Sequence, residues 1–224
     1  MGKKLQTAGK ITLRVLDLGL RAYGPVLELQ ERLVKERKAG KVPDTLILVE
    51  HEPVYTLGRN AKESNVLATR EELEHLGISV IRTGRGGDVT YHGPGQLVGY
   101  PIIDLGARGE GALDFVHNLE KAIVLALADF DVSGATDRKN RGVWVGDDKI
   151  AAIGVRITRQ ITMHGFALNV STNLDHYKGI IPCGISDKGV TSLHLLTPGI
   201  SMEQMKNKVV EKFREVFGYV PVET

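Results

Sequence analysis

The chain has 224 residues, with 29 Lys+Arg against 27 Asp+Glu, for a formal charge of +2. That length builds one large domain or two small ones around a real core, and the near-neutral balance excludes a nucleic-acid binder that relies on bulk charge. A single cysteine excludes an internal disulfide and a thiolate metal cluster. The 26 glycines, about 12% where roughly 7% is usual, are the anomaly.

Two lysines open the chain, but Arg14 and Asp17 interrupt the apolar stretch from Ile11, so no signal peptide is predicted. No run of roughly 18 apolar residues occurs, and no membrane span is predicted. A cytoplasmic protein that binds neither membrane nor nucleic acid is the expectation.

Residues 11–15 alternate apolar with polar, as a half-buried strand does. Over 23–37, Val26, Leu27, Leu33 and Val34 recur at helical spacing, and Gly40 can stop that helix. The compact apolar run 45–49 reads as a buried strand. Thr69 with Glu72 forms a capping box for a short helix to His75, ended by Gly77, and 78–81 is a further strand. The clearest helix spans 113–130, with Phe115, Val116, Leu119, Ile123 and Leu127 on one face. Residues 143–145 and 149–153 flank Gly146-Asp147-Asp148 as a β-hairpin, and 161–170 reads as a strand. Ser201 with Gln204 caps a last helix to Phe217, ended by Gly218. Strands and helices intersperse without strict alternation, which predicts an α/β (α+β) single domain with a mixed β-sheet flanked by helices. A small C-terminal subdomain after residue 174 is the alternative.

Nine of the residues from 84 to 111 are glycine, around Arg85-Gly86-Gly87-Asp88-Val89-Thr90-Tyr91-His92-Gly93-Pro94-Gly95-Gln96. A stretch this glycine-dense and without secondary structure is unusual in a compact domain and often functional. A Walker loop requires a following Gly-Lys-Ser/Thr, which is absent, and a Rossmann loop opens a helix, whereas 97–103 reads as a strand. Two readings stay open: a tight turn between strands, or a binding loop that uses Arg85, Thr90 and His92.

Pro182 and Gly184 bracket Cys183, which places the thiol in a turn rather than within a strand or helix. An inert thiol and a nucleophile both fit. With an ordinary pKa near 8.5, only a few per cent is thiolate at pH 7, so a nucleophile needs a nearby cation or base. His92, His164, His176, His194 and Lys149 are the candidates. His176, beside Tyr177 and Lys178, reads as solvated, and Lys149, beside Asp147 and Asp148, fits an ordinary hairpin charge as well.

Five blocks in order resemble the lipoate-protein ligase B family, the octanoyl-[acyl carrier protein]:protein octanoyltransferases. They are Glu50 through Arg59, Arg85 through Gln96 with Tyr100, Gly142-Val143-Trp144-Val145 with Lys149 through Gly154, Pro182-Cys183-Gly184-Ile185, and Val190-Thr191-Ser192-Leu193. Tyr177 departs from the family's usual phenylalanine, a conservative change at a packing position. The resemblance implies a fold like the biotin- and lipoate-protein ligases. It implies Cys183 as acyl-thioester nucleophile and Lys149 as the residue that lowers its pKa and shuttles the proton. Substrate contacts are implied at Arg85, Gly86, Gly87, Asp88, Val89, Thr90, Tyr91 and His92, at Ala152, Ile153 and Gly154, and at Gly165, Phe166 and Ala167.

On that resemblance the donor is octanoyl-acyl carrier protein. The acceptors are lipoyl domains of 2-oxoacid dehydrogenase complexes and the glycine cleavage H protein. The thioester supplies the energy, so no ATP, metal or other cofactor is expected. Small residues would leave room for the acyl chain, and backbone N–H groups near Gly87 and Cys183 would hold the oxyanion. Arg59, Arg82 and the Arg138-Lys139-Arg141 cluster are candidates for docking an acidic carrier. Two alternatives compete: an ATP-dependent lipoate ligase, which needs no cysteine, and a non-catalytic binding module.

Overall fold

The structure is a computed structural model, and it describes residues 12–181 and 188–220. Arg14–Arg21 forms strand β1 and Tyr23–Lys38 helix α1, followed by β2 at Thr45–His51 and β3 at Val54–Leu57. The first strand starts later than its alternation suggests because it follows the register of β2, which it joins in parallel from Arg14 opposite Thr45. Next come α2 (Arg70–Leu76), β4 (Ser79–Arg82), β5 (Val89–His92) and β6 (Gln96–Ile102). Both halves of the Thr69/Glu72 capping box are present, and Gly77 closes α2 at φ 64°. The chain continues through α3 (Leu105–Arg108), α4 (Ala112–Ala128), β7 (Ala135–Thr136), β8 (Val143–Val145), β9 (Asp148–Thr158) and β10 (Ile161–Asn169). Two helices follow, α5 at Leu193–Leu196 and α6 at Met202–Phe217; the second has the Ser201/Gln204 box and the Gly218 stop.

A seven-stranded mixed sheet runs β1-β2-β6-β10-β9-β8-β7, and a three-stranded sheet runs β4-β3-β5. β2 is apolar without alternation because both of its faces are covered. Leu46 and Leu48 face a core shared with Phe115, Leu119 and Ile123 of α4 and with Phe213 of α6. Ile47 and Val49 face a second core closed by Val26 and Leu33 of α1. The small sheet has its own cluster around Tyr55, Leu57, Val89 and Tyr91.

The described residues after 174 build no separate core. Leu193, Met205, Val209 and Phe217 complete the first cluster, while Tyr177 and Ile180 complete the third. The mixed sheet, the flanking helices and the single-domain packing agree with the predicted class. Neither sheet makes a site alone; the site lies where the β4-β3-β5 sheet meets β9 and β10.

Candidate active site

The glycine-rich segment is not devoid of regular structure: it contains β5, and its glycines mark the turns on either side. Before β5, the loop crosses β9, with the Gly86 N–H donating to Val155 O at 3.1 Å. At Gly154 a Cβ would meet Gly86 O at 3.1 Å, so the missing side chain lets loop and strand approach closely. Gly87 has φ 85°, a left-handed conformation that glycine adopts without strain. Arg85 is almost buried and tied back to β3, donating from Nε to Thr56 Oγ1 at 3.1 Å and from Nη1 to Gly86 O at 3.0 Å.

Strand alternation then sorts the segment. Thr90 and His92 line a slot together with Arg85, Gly86 and Gly87. Val89 and Tyr91 point the other way into the third core, and the Asp88 carboxylate accepts from Asn65 Nδ2 and from the Val89 N–H, both at 2.7 Å. The opposite wall is Ala152, Ile153 and Gly154 of β9 with Gly165, Phe166 and Ala167 of β10, and Ala152 pairs with Ala167. The two substrate segments predicted on β9 and β10 thus form one wall, and five of the eight predicted residues from 85 to 92 form the other. Gly165 serves packing as well as space, since a Cβ there would strike Gly99 O of β6.

Adjoining the slot is a cleft lined by Trp144, Lys149, Asn169, Tyr177, Lys188 and Gly189, and Thr90 and Ala152 border both spaces. Both slot and cleft are partly open to solvent. Lys149 enters the cleft from the start of β9, directly after the hairpin turn. Its backbone N–H donates to Gly189 O and its carbonyl accepts from Thr191 N, both at 3.0 Å. Its Nζ lies 4.7 Å from the Trp144 ring centroid, and Lys188 Nζ lies 4.6 Å from the same ring. Trp144 is itself fixed by its Nε1 donating to Asn140 O at 2.9 Å. Among the described residues Lys149 has no ion pair; Asp147 instead approaches Lys188, at 4.0 Å. The lysine is therefore a half-buried cation facing a cavity, not a hairpin charge paired with its neighbours.

Cys183 lies outside the described residues. The described chain ends at Ile181, whose N–H donates to Asn65 O at 2.8 Å, and resumes with Lys188 and Gly189 on the cleft wall.

A buried polar network supports the boundary between cleft and slot. Gln96 Nε2 lies 3.0 Å from both Asn169 Oδ1 and the Tyr177 hydroxyl, while its Oε1 is 2.7 Å from His92 Nδ1. Tyr177 is therefore more than a packing residue, because phenylalanine would leave this network one hydroxyl short. Nor is His176 simply solvated: the Tyr91 hydroxyl lies 2.6 Å from its Nδ1. His194 is exposed on α5.

Burial pushes His51 and His164 down to about 4 and His92 well below its usual value. These imidazoles are neutral at pH 7, and of the sequence candidates Lys149 is the one that lines the cleft, where Lys188 joins it. Of the proposed docking cations, Arg82 is paired with Glu63 at 3.1 Å and Arg141 with Glu120 at 3.3 Å, while Arg59, Arg138 and Lys139 are exposed. Tyr23, Asn169 and Lys188 join the site without having been singled out in the sequence. Among the described residues, no group of three His, Cys, Asp or Glu side chains is placed to hold a metal ion, and no helix is long and apolar enough to cross a membrane.

Residues 22–214 match the lipoyl protein ligase A/B catalytic domain, and the chain belongs to that family. It is 46% identical over 214 residues to an octanoyltransferase of Alkaliphilus metalliredigens, covering 95% of this chain and 98% of that one. To an octanoyltransferase of Acidobacterium capsulatum it is 48% identical over 225 residues, covering 93% and 92%. Within the family it is an acyltransferase. In fold it superimposes on a lipoate-protein ligase A solved with ATP at a TM-score of 0.71, covering 96% of this chain and 89% of the other at 16% identity.

Proposed function

We propose that the chain transfers an octanoyl group from acyl carrier protein to a lysine of a lipoyl domain through a thioester on Cys183, with Lys149 as its proton carrier. Its relatives at 46–48% identity are octanoyltransferases. One observation carries the mechanistic reading: Lys149 lines a cleft that shares Thr90 and Ala152 with a slot whose lining includes Gly86, Gly87, Gly154 and Gly165.

In the first half-reaction the Cys183 thiolate, favoured by the Lys149 ammonium, attacks the thioester carbonyl. The tetrahedral oxyanion is held by backbone N–H groups. It collapses with loss of the carrier thiolate, which takes a proton from Lys149. In the second, the ε-amino group of the acceptor lysine attacks the acyl-enzyme. It gives its proton to the now neutral Lys149, and Cys183 leaves as thiolate. The products are an amide and a regenerated cysteine/lysine pair, and no nucleotide is consumed. The octanoyl chain lies between Gly86-Gly87 and the β9–β10 wall. The partners are an acyl carrier protein, approached by Arg59, Arg138 and Lys139, and the lipoyl domains of 2-oxoacid dehydrogenase complexes and of the glycine cleavage H protein.

Purified enzyme, octanoyl-acyl carrier protein and apo lipoyl domain are expected to give octanoylated domain without ATP. Transfer that appears only with ATP and free octanoate would replace this reading with a ligase.

A further inference from the structure

The slot contains polar groups that the transfer chemistry does not use, and most of them are satisfied within the fold. The hydroxyl of Tyr100, which lines the slot, lies 2.8 Å from His51 Nε2 behind it, and His92 Nδ1 has Gln96. His164 differs. It is 1% exposed and lines the slot, yet neither ring nitrogen has a hydrogen-bond partner among the described residues. Its φ is 59° inside β10, a conformation that is uncommon for residues other than glycine and recurs at functional sites. Its backbone N–H donates to Gln30 Oε1 at 2.9 Å, and Gln30 Nε2 is also without a partner. Among the residues lining the slot, His164 is the one that carries buried side-chain atoms without a hydrogen bond among the described residues.

The distance from the reacting end fits an acyl tip. Ala152 stands opposite Ala167 and Val155 opposite His164, so three residues of strand separate the two pairs, about 10 Å. An extended octanoyl chain with carbon–carbon bonds of about 1.5 Å covers nearly the same length. A reactive carbon at the Thr90/Ala152 junction therefore brings the eighth carbon to His164.

We propose that the inner end of the slot is a hydrogen-bonding subsite in which His164 receives a polar tip, a terminal hydroxyl, on a medium-length acyl chain. The proposal rests on reading the slot as the acyl site. A neutral imidazole offers one donor and one acceptor, and a hydroxyl answers both where a methyl answers neither.

The test compares transfer of octanoyl, nonanoyl and 8-hydroxyoctanoyl groups from the same carrier-protein thioester to a lipoyl domain. Nonanoyl and 8-hydroxyoctanoyl differ only in a methyl or a hydroxyl at the tip. The kcat/KM ratio of 8-hydroxyoctanoyl to nonanoyl is expected to be about tenfold, the effect of one hydrogen bond to an otherwise unpaired buried group. In His164→Phe, which keeps a ring and removes both nitrogens, the ratio falls to about one. His164→Asn, which tolerates positive φ and keeps a donor and an acceptor, retains part of it and serves if the phenylalanine variant does not fold. A ratio near one in the wild type, or one unchanged in both variants, overturns the subsite. Transfer of none of the three chains overturns the acyl-site reading, and the subsite with it.

Discussion

Replacing Lys149 by alanine is expected to slow transfer by about 10²–10⁴-fold, the usual contribution of a positioned general acid–base, with the fold retained. The fold survives because the ammonium, among the described residues, sits over the Trp144 ring, a contact worth about 0.5–1 kcal/mol. The bonds that hold β9 to Gly189 and Thr191 come from the backbone and are indifferent to the substitution. Lys149→Arg separates the two duties of the residue. Arginine keeps a positive charge over Trp144 but does not release its proton in a protein. Single-turnover kinetics of the arginine variant should therefore show acylation surviving better than delivery to the acceptor lysine. Near-normal turnover in Lys149→Ala, with unchanged circular dichroism, contradicts the role.

Acidification is expected to weaken the fold before the carboxylates titrate. His51 and His164 have an ordinary value near 6.5 in the unfolded chain and about 4 in the folded one, because burial disfavours the cation. Between those values the unfolded state binds more protons, so stability is complete above pH 6.5 and falls as the pH drops towards 4. Each imidazole held neutral costs about 1.4 kcal/mol per pH unit in that window, or about 3 kcal/mol between pH 6.5 and 4.5. Urea unfolding should show a lower midpoint at pH 4.5 than at pH 7.5, and His164→Asn should show a smaller drop. Equal midpoints at both pH values contradict neutral burial of these rings.

Which parts of this were legible in the sequence follows from the range of the forces involved. Helices α2 and α6 were readable because their stops and starts are local: a Ser or Thr cap, a Glu or Gln three residues on, a closing glycine. The hairpin that carries Trp144 and Lys149 was readable from its alternation and turn. β3 had no such punctuation and is held by pairing with the distant β5, and β7 is only two residues long.

The site divides in the same way. The family resemblance implied Lys149 and the segments around Gly87, Gly154 and Gly165, and these line the adjoining cleft and slot. The residues themselves brought forward Arg85, Thr90 and His92, whereas the resemblance implied all of 85–92; the alternation of β5 is what turns Val89 and Tyr91 away from the slot. Tyr23 joins the slot only because α1 packs across β6 and β10, and no local pattern encodes that crossing. The unpartnered ring of His164 is equally invisible, since it depends on what the fold fails to place beside it. Part of the glycine excess serves close backbone approach, at Gly86, Gly154 and Gly165, and part serves positive φ, at Gly77, Gly87 and Gly218.

Intact-mass analysis of the enzyme mixed with octanoyl-acyl carrier protein, without acceptor, tests the covalent mechanism most directly. The wild type is predicted to carry a single octanoyl adduct that hydroxylamine removes, and Cys183→Ala to carry none. A wild-type enzyme that turns over with no adduct, or an adduct that persists in Cys183→Ala, would contradict acyl transfer through Cys183.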